Sequence, residues 1–332
     1  MARVNSTLSL LAASSVALGI KTLFEFKPNQ TVKVTPLPET KGEVTKRISF
    51  IIAENNHPET ASLIADLLSQ NGLRNIEVLV NENLQVTDER VKQISNDLDP
   101  TPAGWSEIAW ICQKLAFSAE GEILVFINPR VLIDSHLFAS ALNFLAANQI
   151  SALFVNPKIK NPFNLGYLNE LGQNLITINK LNSEAAISPD LFLIEKSTYN
   201  KIAGHTRVGA NPDLGIGLLK VLQKQNLPFS LVNAGSLATV NDHSYQKKSL
   251  TPLEELATRA LTYLVPILVF IFARSKSLKL LGFVGIKLGG FLAFKQLVNY
   301  KPIDFQKIFL TPLAALVSII FDSLAWWRKW KA

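Results

Sequence analysis

Short, almost entirely apolar runs alternate with amphipathic segments through the middle of the chain. Such a run is typical of a strand buried on both faces of a sheet, and we expect strands at 48–52, 76–80, 122–127 and 150–155. The segments between them carry apolar residues at helical spacing, which predicts helices over 59–70, from Thr87, from Ser106 and over 134–147. Alternating strands and helices predict a mostly parallel sheet covered by helices on both faces.

Polar residues follow two of these predicted strands directly. Asn81–Asn83 follow the second strand, and Asn128–Arg130 follow the third. Ligands of parallel sheets bind outside the carboxyl ends of the strands. We therefore expect both polar segments at one edge of the sheet, where the site of such a fold lies.

Both ends of the chain are strongly apolar. The run Thr7–Phe24 is apolar, with Lys21 as its one charged residue, and could be a cleaved signal peptide, an uncleaved anchor or a helix packed on the C-terminal region; we expect the anchor. Near the C-terminus, 260–273, 280–294 and 308–327 are apolar. The first would cover only about 21 Å of a hydrocarbon core of about 30 Å. The last ends in WWRKWK, typical of a helix end at the headgroup level. We expect membrane-associated helices, with packing on the soluble domain as the alternative.

The composition points to lipid rather than to nucleic acid. Only 18% of the residues are charged and 48% are hydrophobic, with a mean hydropathy of +0.21, a low charged fraction for a soluble protein. The net charge is +7. Lys and Arg crowd around the C-terminal apolar segments and the sequence has no nucleic-acid-binding motif, so we expect a lipid surface as the partner. The single cysteine, Cys112, cannot form an intramolecular disulfide, and we expect it in the core.

Three segments resemble a known enzyme family. RISFIIAENNHPETASLIADLLSQNGLRNIEVLVNEN resembles the opening of a family 2 glycosyltransferase domain of the inverting GT-A fold. GWSEIAWICQKLAFSAEGEILVFINPRVLI is similar to the membrane glycosyltransferases associated with hopanoid and carotenoid biosynthesis, and DLFLIEKSTYNKIAGH resembles their later strand and histidine segment. The resemblance runs from Arg47 to the C-terminus and implies an α/β fold with a mixed, mostly parallel sheet.

The resemblance also implies donor-binding residues. The family's Asn-Glu pair, which helps hold the nucleobase, falls on Asn56 and His57, so the Asn is retained and the Glu is lost. A uridine-binding Asp falls near Asn81 and Glu82, and Glu82 is a plausible substitute carboxylate. A Lys that contacts the diphosphate in the family falls on Ile108.

Two further residues are implied on the acceptor side of the reaction. The family's catalytic base falls on Asp213, which would remove the proton of an acceptor hydroxyl. Asp213 also precedes a predicted helix, so a capping role is compatible with it. His205 matches a family histidine on the acceptor side, and a structural role is the alternative for this residue.

The metal-binding Asp-x-Asp motif of the family falls on Asn128-Pro129-Arg130. Mg²⁺ and Mn²⁺ prefer charged oxygen ligands. Asn128 offers one neutral oxygen and Arg130 places a cation where the metal would lie, so we expect no metal cofactor. Either Arg130 replaces the metal as the charge that faces the diphosphate, or the site no longer performs chemistry.

These features predict four regions, namely a hydrophobic anchor at 1–25, a linker at 26–46, a GT-A-like domain at 47–250 and membrane-associated helices at 251–332. The predicted function is the transfer of a sugar from a nucleotide-diphosphate donor to a lipid hydroxyl, of isoprenoid, carotenoid or hopanoid type. The alternative is a catalytically inactive relative that serves as a binding or scaffold subunit. We expect the chain at a membrane, with its globular domain on the cytoplasmic side, because nucleotide sugars are cytoplasmic and no disulfide pair occurs.

Overall fold

The computed structural model describes residues 2–25, 34–54, 57–81, 86–94, 100–160, 165, 168, 190–210, 215–240, 253–297 and 305–331. The chain divides into two compact units. The described parts of Val32–Lys160 and Ala186–Asn241 form a sheet unit, and those of Met1–Thr31, Asn161–Ala185 and Asp242–Ala332 form a helical unit.

The strands of the described residues belong to the sheet unit. In the described residues they are β1 Val34–Pro36, β2 Ile48–Ile52, β3 Ile76–Val80, β4 Val91–Gln93, β5 Ile123–Ile127, β6 Val131–Ile133, β7 Ala152–Asn156, β8 Lys158–Ile159, β9 Leu191–Glu195, β10 Phe229–Asn233 and β11 Ala238–Val240.

Helices occur in both units. In the described residues the α-helices are α1 Ala2–Glu25, α2 Thr60–Leu68, α3 Glu107–Ser118, α4 Leu137–Ala147, α5 Lys196–Lys201, α6 Ile216–Lys224, α7 Leu253–Arg259, α8 Val265–Phe272, α9 Lys276–Leu297 and α10 Phe305–Lys331. A 3₁₀-helix covers Gly204–Arg207, and a π-helix at Ala260–Leu264 joins α7 to α8.

An eight-stranded mixed sheet is the centre of the sheet unit. Its spatial order is β1-β10-β7-β9-β5-β2-β3-β4. β9 runs antiparallel to both of its neighbours, β5 and β7, and the other strand pairs are parallel. A smaller sheet has the order β6-β11-β8. The predicted mixed, mostly parallel α/β sheet is thus confirmed.

The apolar runs predicted as strands form the middle of the large sheet. All five residues of β2, β3 and β5 are buried, as expected for strands that helices cover on both faces. The predicted helices α2, α3 and α4 are present. The side chain of Ser106 caps α3 by accepting a hydrogen bond from the N–H of Ala109 at 3.2 Å, and Cys112 is a buried free cysteine, as predicted.

Two predictions about local structure are wrong. The helix expected from Thr87 is instead the edge strand β4, in which Val91 pairs with Val78 of β3. Asp88, taken as part of a helix start, closes a turn by accepting the N–H of Arg90 at 2.9 Å. Part of the segment predicted as a linker is β1, whose Val34 is fully buried and pairs with Leu231.

An ionic cluster lies at the amino-terminal edge of the large sheet. Glu77, at the start of β3, accepts hydrogen bonds from the hydroxyl of Ser49 at 2.5 Å, from the N–H of Glu120 at 2.6 Å and from the N–H of Gly121 at 3.1 Å. Its second oxygen lies 2.8 Å from the ammonium of Lys92. Burial by itself raises the pKa of Glu77, but these contacts outweigh burial and leave the pKa below the ordinary glutamate value. The cluster joins β2, β3, β4 and the entry to β5.

Small residues permit close contacts between helices of the helical unit. Ala12 of α1 lies in a buried cluster with Val269 of α8 and Leu278 of α9. Gly282 of α9 faces the backbone of α8, because a Cβ atom at this glycine would lie 2.7 Å from the amide nitrogen of Phe270 and 2.9 Å from the carbonyl oxygen of Pro266. The glycine thus permits a close backbone approach between the two helices.

A buried ion pair joins two helices of this unit. The guanidinium of Arg259, at the end of α7, lies 2.7 Å from the carboxylate of Asp322 in α10, and both side chains are almost completely buried. The π-helix starts at the next residue, Ala260. A buried pair of this kind costs desolvation energy and loses much more stability when only one partner is removed.

The predicted membrane helices were expected at both ends of the chain. Among the residues that the structure describes, none of the helices has the length and apolar character needed to cross a membrane.

Candidate functional site

The order of the strands creates a switch point in the large sheet. From β2 the chain continues outward to β3 and β4 on one side, and it then returns to form β5 on the other side of β2. Ligands of open α/β sheets bind in the crevice at such a point, outside the carboxyl ends of the strands. At this place the chain presents Glu54, two residues after β2, and Asn128-Pro129-Arg130, directly after β5.

The turn after β5 is held by hydrogen bonds on both sides. The N–H of Asn128 donates to the carbonyl oxygen of Asp190 at 2.8 Å, and the N–H of Val131 donates to the carbonyl oxygen of Asn128 at 3.0 Å. The side-chain oxygen of Asn128 accepts from the backbone N–H of Arg130 at 3.1 Å and from its Nε at 2.9 Å. An Asn at the first position of a turn favours this arrangement. The turn therefore orients the guanidinium of Arg130.

Glu54 binds both polar side chains of this turn. One carboxylate oxygen, Oε2, accepts from Nδ2 of Asn128 at 2.7 Å and lies 3.3 Å from an NH2 nitrogen of Arg130. We call Glu54, Asn128 and Arg130 the Glu54 corner. It connects the carboxyl ends of two neighbouring parallel strands that are far apart in the sequence.

The Glu54 corner has a formal charge of zero and is mostly shielded from water. The side chain of Arg130 is only 10% exposed and that of Glu54 is 30% exposed, while Asn128 is buried. An ion pair in such surroundings is stronger than one at the surface, because less water screens it. The cation predicted from sequence is present, and a carboxylate that the sequence did not predict is paired with it.

The residues of the corner do not suit a divalent cation. A Mg²⁺ or Mn²⁺ site needs several oxygen ligands, usually with carboxylates among them. The oxygen of Asn128 already accepts two hydrogen bonds from Arg130, and the carboxylate of Glu54 faces the guanidinium. In the described residues no group of three or more His, Cys, Asp and Glu could hold a metal ion. The Mg²⁺ or Mn²⁺ that the family resemblance implies does not fit this geometry.

Three predicted site residues lie outside the described residues. These are Asn56 and Glu82 on the donor side and Asp213 as the catalytic base. Their roles stay predictions. Asn81, beside Glu82, is described and directly follows β3, as predicted from the sequence.

Trp105, just before α3, contacts the segment that leads to Asp213. A Cβ atom at Gly209 would lie 2.4 Å from the ring of Trp105, and the N–H of Ser106 donates to the carbonyl oxygen of Gly209 at 2.6 Å. Gly209 is four residues before Asp213. The start of α3 thus positions the backbone just before the residue predicted as the base.

His205 lies in a buried network of hydrogen bonds. Its Nδ1 is 2.7 Å from the hydroxyl of Tyr199, which donates its proton to Oε1 of Gln113 at 3.1 Å. Nδ1 must therefore carry a hydrogen and donate to the Tyr199 oxygen. Burial raises the pKa of the Tyr199 hydroxyl. His205 is 0% exposed, and its ring is tilted against that of Phe126 with the centroids 5.1 Å apart. This geometry favours the structural role over the acceptor-side contact.

Sequence reasoning missed two polar residues at this edge. Glu54 is the first charged residue after the apolar run of β2, so the rule that located Asn128 would also have located it. Asp190 directly precedes β9 and is buried. It meets the turn only because β9 runs antiparallel to β5, and the sequence carries no signal for that direction.

No protein-family model matches the chain, and no curated protein matches it in sequence. Among solved structures it is similar to the mannosyltransferase PcManGT from Pyrobaculum calidifontis in complex with GDP-Man and Mn²⁺, with a TM-score of 0.45 and 12% identity over 95% of this chain and 99% of the other. Similarities also exist to S. aureus TarS (TM-score 0.41, 13% identity, 70% of this chain and 41% of the other) and to glucosyl-3-phosphoglycerate synthase from Mycobacterium tuberculosis (TM-score 0.39, 18% identity, 68% and 79%).

Proposed function

We propose that this protein is a membrane-associated glycosyltransferase of GT-A type that binds a nucleotide-diphosphate sugar without a divalent cation. The observation that carries the proposal is the oriented guanidinium of Arg130 at the switch point of the sheet. In the sequence, Arg130 stands at the position where the resembled family has the last Asp of its metal-binding Asp-x-Asp motif. A guanidinium binds phosphate oxygens through two parallel hydrogen bonds, so it suits the diphosphate of a donor.

The proposed reaction is a single displacement. The oxygen of a lipid hydroxyl attacks the anomeric carbon of the sugar, and the bond from that carbon to the diphosphate oxygen breaks. Asp213 takes the proton of the hydroxyl as general base, and the departing diphosphate takes up the electron pair. Arg130 offsets part of the charge that develops on the leaving group. An isoprenoid, carotenoid or hopanoid-like alcohol is the proposed acceptor.

A second candidate function is a catalytically inactive binding or scaffold subunit. The ion pair between Glu54 and Arg130 favours it, because a neutralised guanidinium offsets less charge on a leaving diphosphate. Ile108, in the position of the family's diphosphate-binding Lys, favours it as well.

Titration calorimetry on the full chain with UDP, GDP, UDP-glucose and GDP-mannose tests both candidates, with Mn²⁺ and with EDTA. The transferase predicts binding in EDTA that is lost in Arg130→Met, and sugar transfer to a lipid alcohol that is lost in Asp213→Asn. Binding without transfer by the unmodified protein would support the inactive subunit. Binding that requires Mn²⁺ would contradict both metal-free candidates.

For the membrane association we propose that the helical unit lies on the cytoplasmic surface of an anionic bilayer. It exposes large apolar side chains, among them Phe272 at 67% and Trp330 at 84% exposure. Residues 253–332 contain eleven Lys and Arg against four Asp and Glu, a net charge of +7 that equals the net charge of the whole chain. Exposed aromatic residues beside basic ones suit an interfacial position on anionic lipid.

Flotation with phosphatidylcholine vesicles, with and without phosphatidylglycerol, tests this association. We expect binding to the anionic vesicles that weakens at high salt and in Phe272→Ser. Phe117 of α3, in the sheet unit, is 86% exposed, so Phe117→Ser is the matched control and should bind as the unmodified protein does. Absence of flotation on anionic vesicles, or an equal loss in the control, would contradict the proposal.

A further inference from the structure

The carboxylate of Glu54 makes the contacts that an anionic ligand would make at the Glu54 corner. A single oxygen, Oε2, accepts from Asn128 at 2.7 Å and lies 3.3 Å from the guanidinium of Arg130. A phosphate oxygen of a nucleotide sugar would accept hydrogen bonds from the same two groups, the side-chain amide of Asn128 and the guanidinium of Arg130. The chain therefore carries an anion of its own at the place where the proposed function puts the diphosphate.

The two partners of this ion pair differ in their freedom to move. The guanidinium is held at Nε by the side-chain oxygen of Asn128, at 2.9 Å, and is nearly buried. Glu54 lies beyond the end of β2 and its side chain is 30% exposed, so a change of rotamer can move its carboxylate into water. The pair can therefore open through Glu54 while Arg130 keeps its orientation.

We propose that Glu54 is a tethered competitor that sets the affinity of this site for diphosphate groups in the absence of metal. The inference rests on the proposed function, since it concerns the same site. Only the fraction of molecules in which the carboxylate has left Arg130 binds the ligand, and the apparent affinity is reduced by that fraction. Glu54 also repels a bound diphosphate, because both are anions. Diphosphate binding is therefore regulated by a residue of the chain itself.

The test compares Glu54→Gln with the unmodified full chain in EDTA, using inorganic pyrophosphate, UDP and GDP as probes. If the carboxylate holds Arg130 for about nine-tenths of the time, its removal tightens binding about tenfold, and we expect at least a severalfold gain. Glu54→Ala should also tighten binding of the probes. It removes the side chain altogether, so it tests the inference even where the amide introduced by Glu54→Gln still bonds to Asn128. Hydrogen exchange of the β2 and β5 amides checks that each variant is folded.

A matched control is Glu43→Gln. Glu43 forms an exposed ion pair with Arg74, next to the amino-terminal end of β3, so this variant changes the net charge equally at the opposite edge of the sheet. Its affinity for the three probes should equal that of the unmodified chain. A similar gain in the control would assign the effect to net charge alone and would overturn the proposal.

The remaining outcomes separate this inference from the proposed function. If the unmodified chain binds UDP or GDP and neither Glu54 variant binds more tightly, the inference is wrong and the function stands. If the Glu54 variants gain affinity for pyrophosphate but no variant binds a nucleotide, the diphosphate site stands and the nucleotide-sugar function is wrong. If none of the probes binds any variant, both are wrong.

Discussion

The strength of the ion pair in the Glu54 corner follows from its geometry. Unit charges 3.3 Å apart attract by about 1.3 kcal/mol in bulk water and by about 5 kcal/mol at an effective dielectric constant of about 20. Arg130 is nearly buried but Glu54 is 30% exposed, so the pair lies between these cases. Desolvation and the ordering of two side chains offset most of the attraction. We expect a coupling free energy of about 1–2 kcal/mol.

A double-mutant cycle measures this coupling. The variants are Glu54→Gln, Arg130→Met and their combination, and the observable is the free energy of opening from the slowest-exchanging amides of β2 and β5. The summed losses in unfolding free energy of the two single variants should exceed the loss in the double variant, because each single variant removes one charge of the ion pair and keeps the other. The exposed pair of Arg74 and Glu43 is the control; its atoms lie closer together, at 2.6 Å, yet its coupling should be near zero because water screens it. A Glu54–Arg130 coupling below about 0.3 kcal/mol, within the usual error of additivity, would refute this electrostatic account.

Three further predictions concern the scaffold. Glu77→Gln should lower the free energy of unfolding, measured with urea at neutral pH, by about 1–2 kcal/mol, because charge-assisted hydrogen bonds are lost. Since the pKa of Glu77 is lowered in the folded state, the difference between variant and unmodified protein should shrink as the pH falls below about 4.5. A pH-independent difference would contradict the assignment. Arg259→Met should lower the free energy of unfolding by about 3–5 kcal/mol, because it removes the guanidinium that lies 2.7 Å from the buried carboxylate of Asp322. Adding Asp322→Leu should restore most of the loss in a thermal melt in detergent, and no recovery would contradict the pairing. Gly282→Ala should lower the melting temperature, because the added Cβ meets the backbone of α8. The control is Gly290→Ala, whose Cβ would meet nothing within 4 Å, and it should leave stability unchanged or raise it by up to about 1 kcal/mol. Equal effects of the two substitutions would contradict the close approach.

Much of the fold could be predicted because its central strands are continuous apolar runs. The runs that form β2, β3 and β5 contain five buried residues each, a length and composition typical of strands that are covered on both faces. The edge strand β4 has only three residues, which are too few to show the alternation of a strand. Asp88, just before it, also suits the start of a helix, so the sequence predicts a helix there. The direction of β9 was beyond prediction for a related reason, since the composition of a buried strand does not depend on its direction.

Of the candidate site, only the edge of the sheet and the turn after β5 could be predicted from the sequence. The rule that ligands bind at the carboxyl ends of strands led to Asn128 and Arg130, which follow β5 in the structure, and their role in binding stays a prediction. Their contact with Glu54 depends on the pairing of β2 with β5, which brings together residues 74 and 76 positions apart. A sequence without its strand order does not reveal such a neighbour. The sequence therefore predicted an unopposed cation, and the structure places a carboxylate beside it.

In the proposed function the guanidinium of Arg130 takes the place of a divalent cation at the switch point of the sheet. Electron paramagnetic resonance of Mn²⁺, titrated with the full chain in the presence of UDP or GDP, tests it most directly. We expect no protein-bound Mn²⁺ signal at any protein concentration; Mn²⁺ should instead be released as the aqueous ion as the chain takes up the nucleotide. A protein-bound Mn²⁺ signal that reaches one ion per chain and disappears in Asn128→Ala would contradict the account.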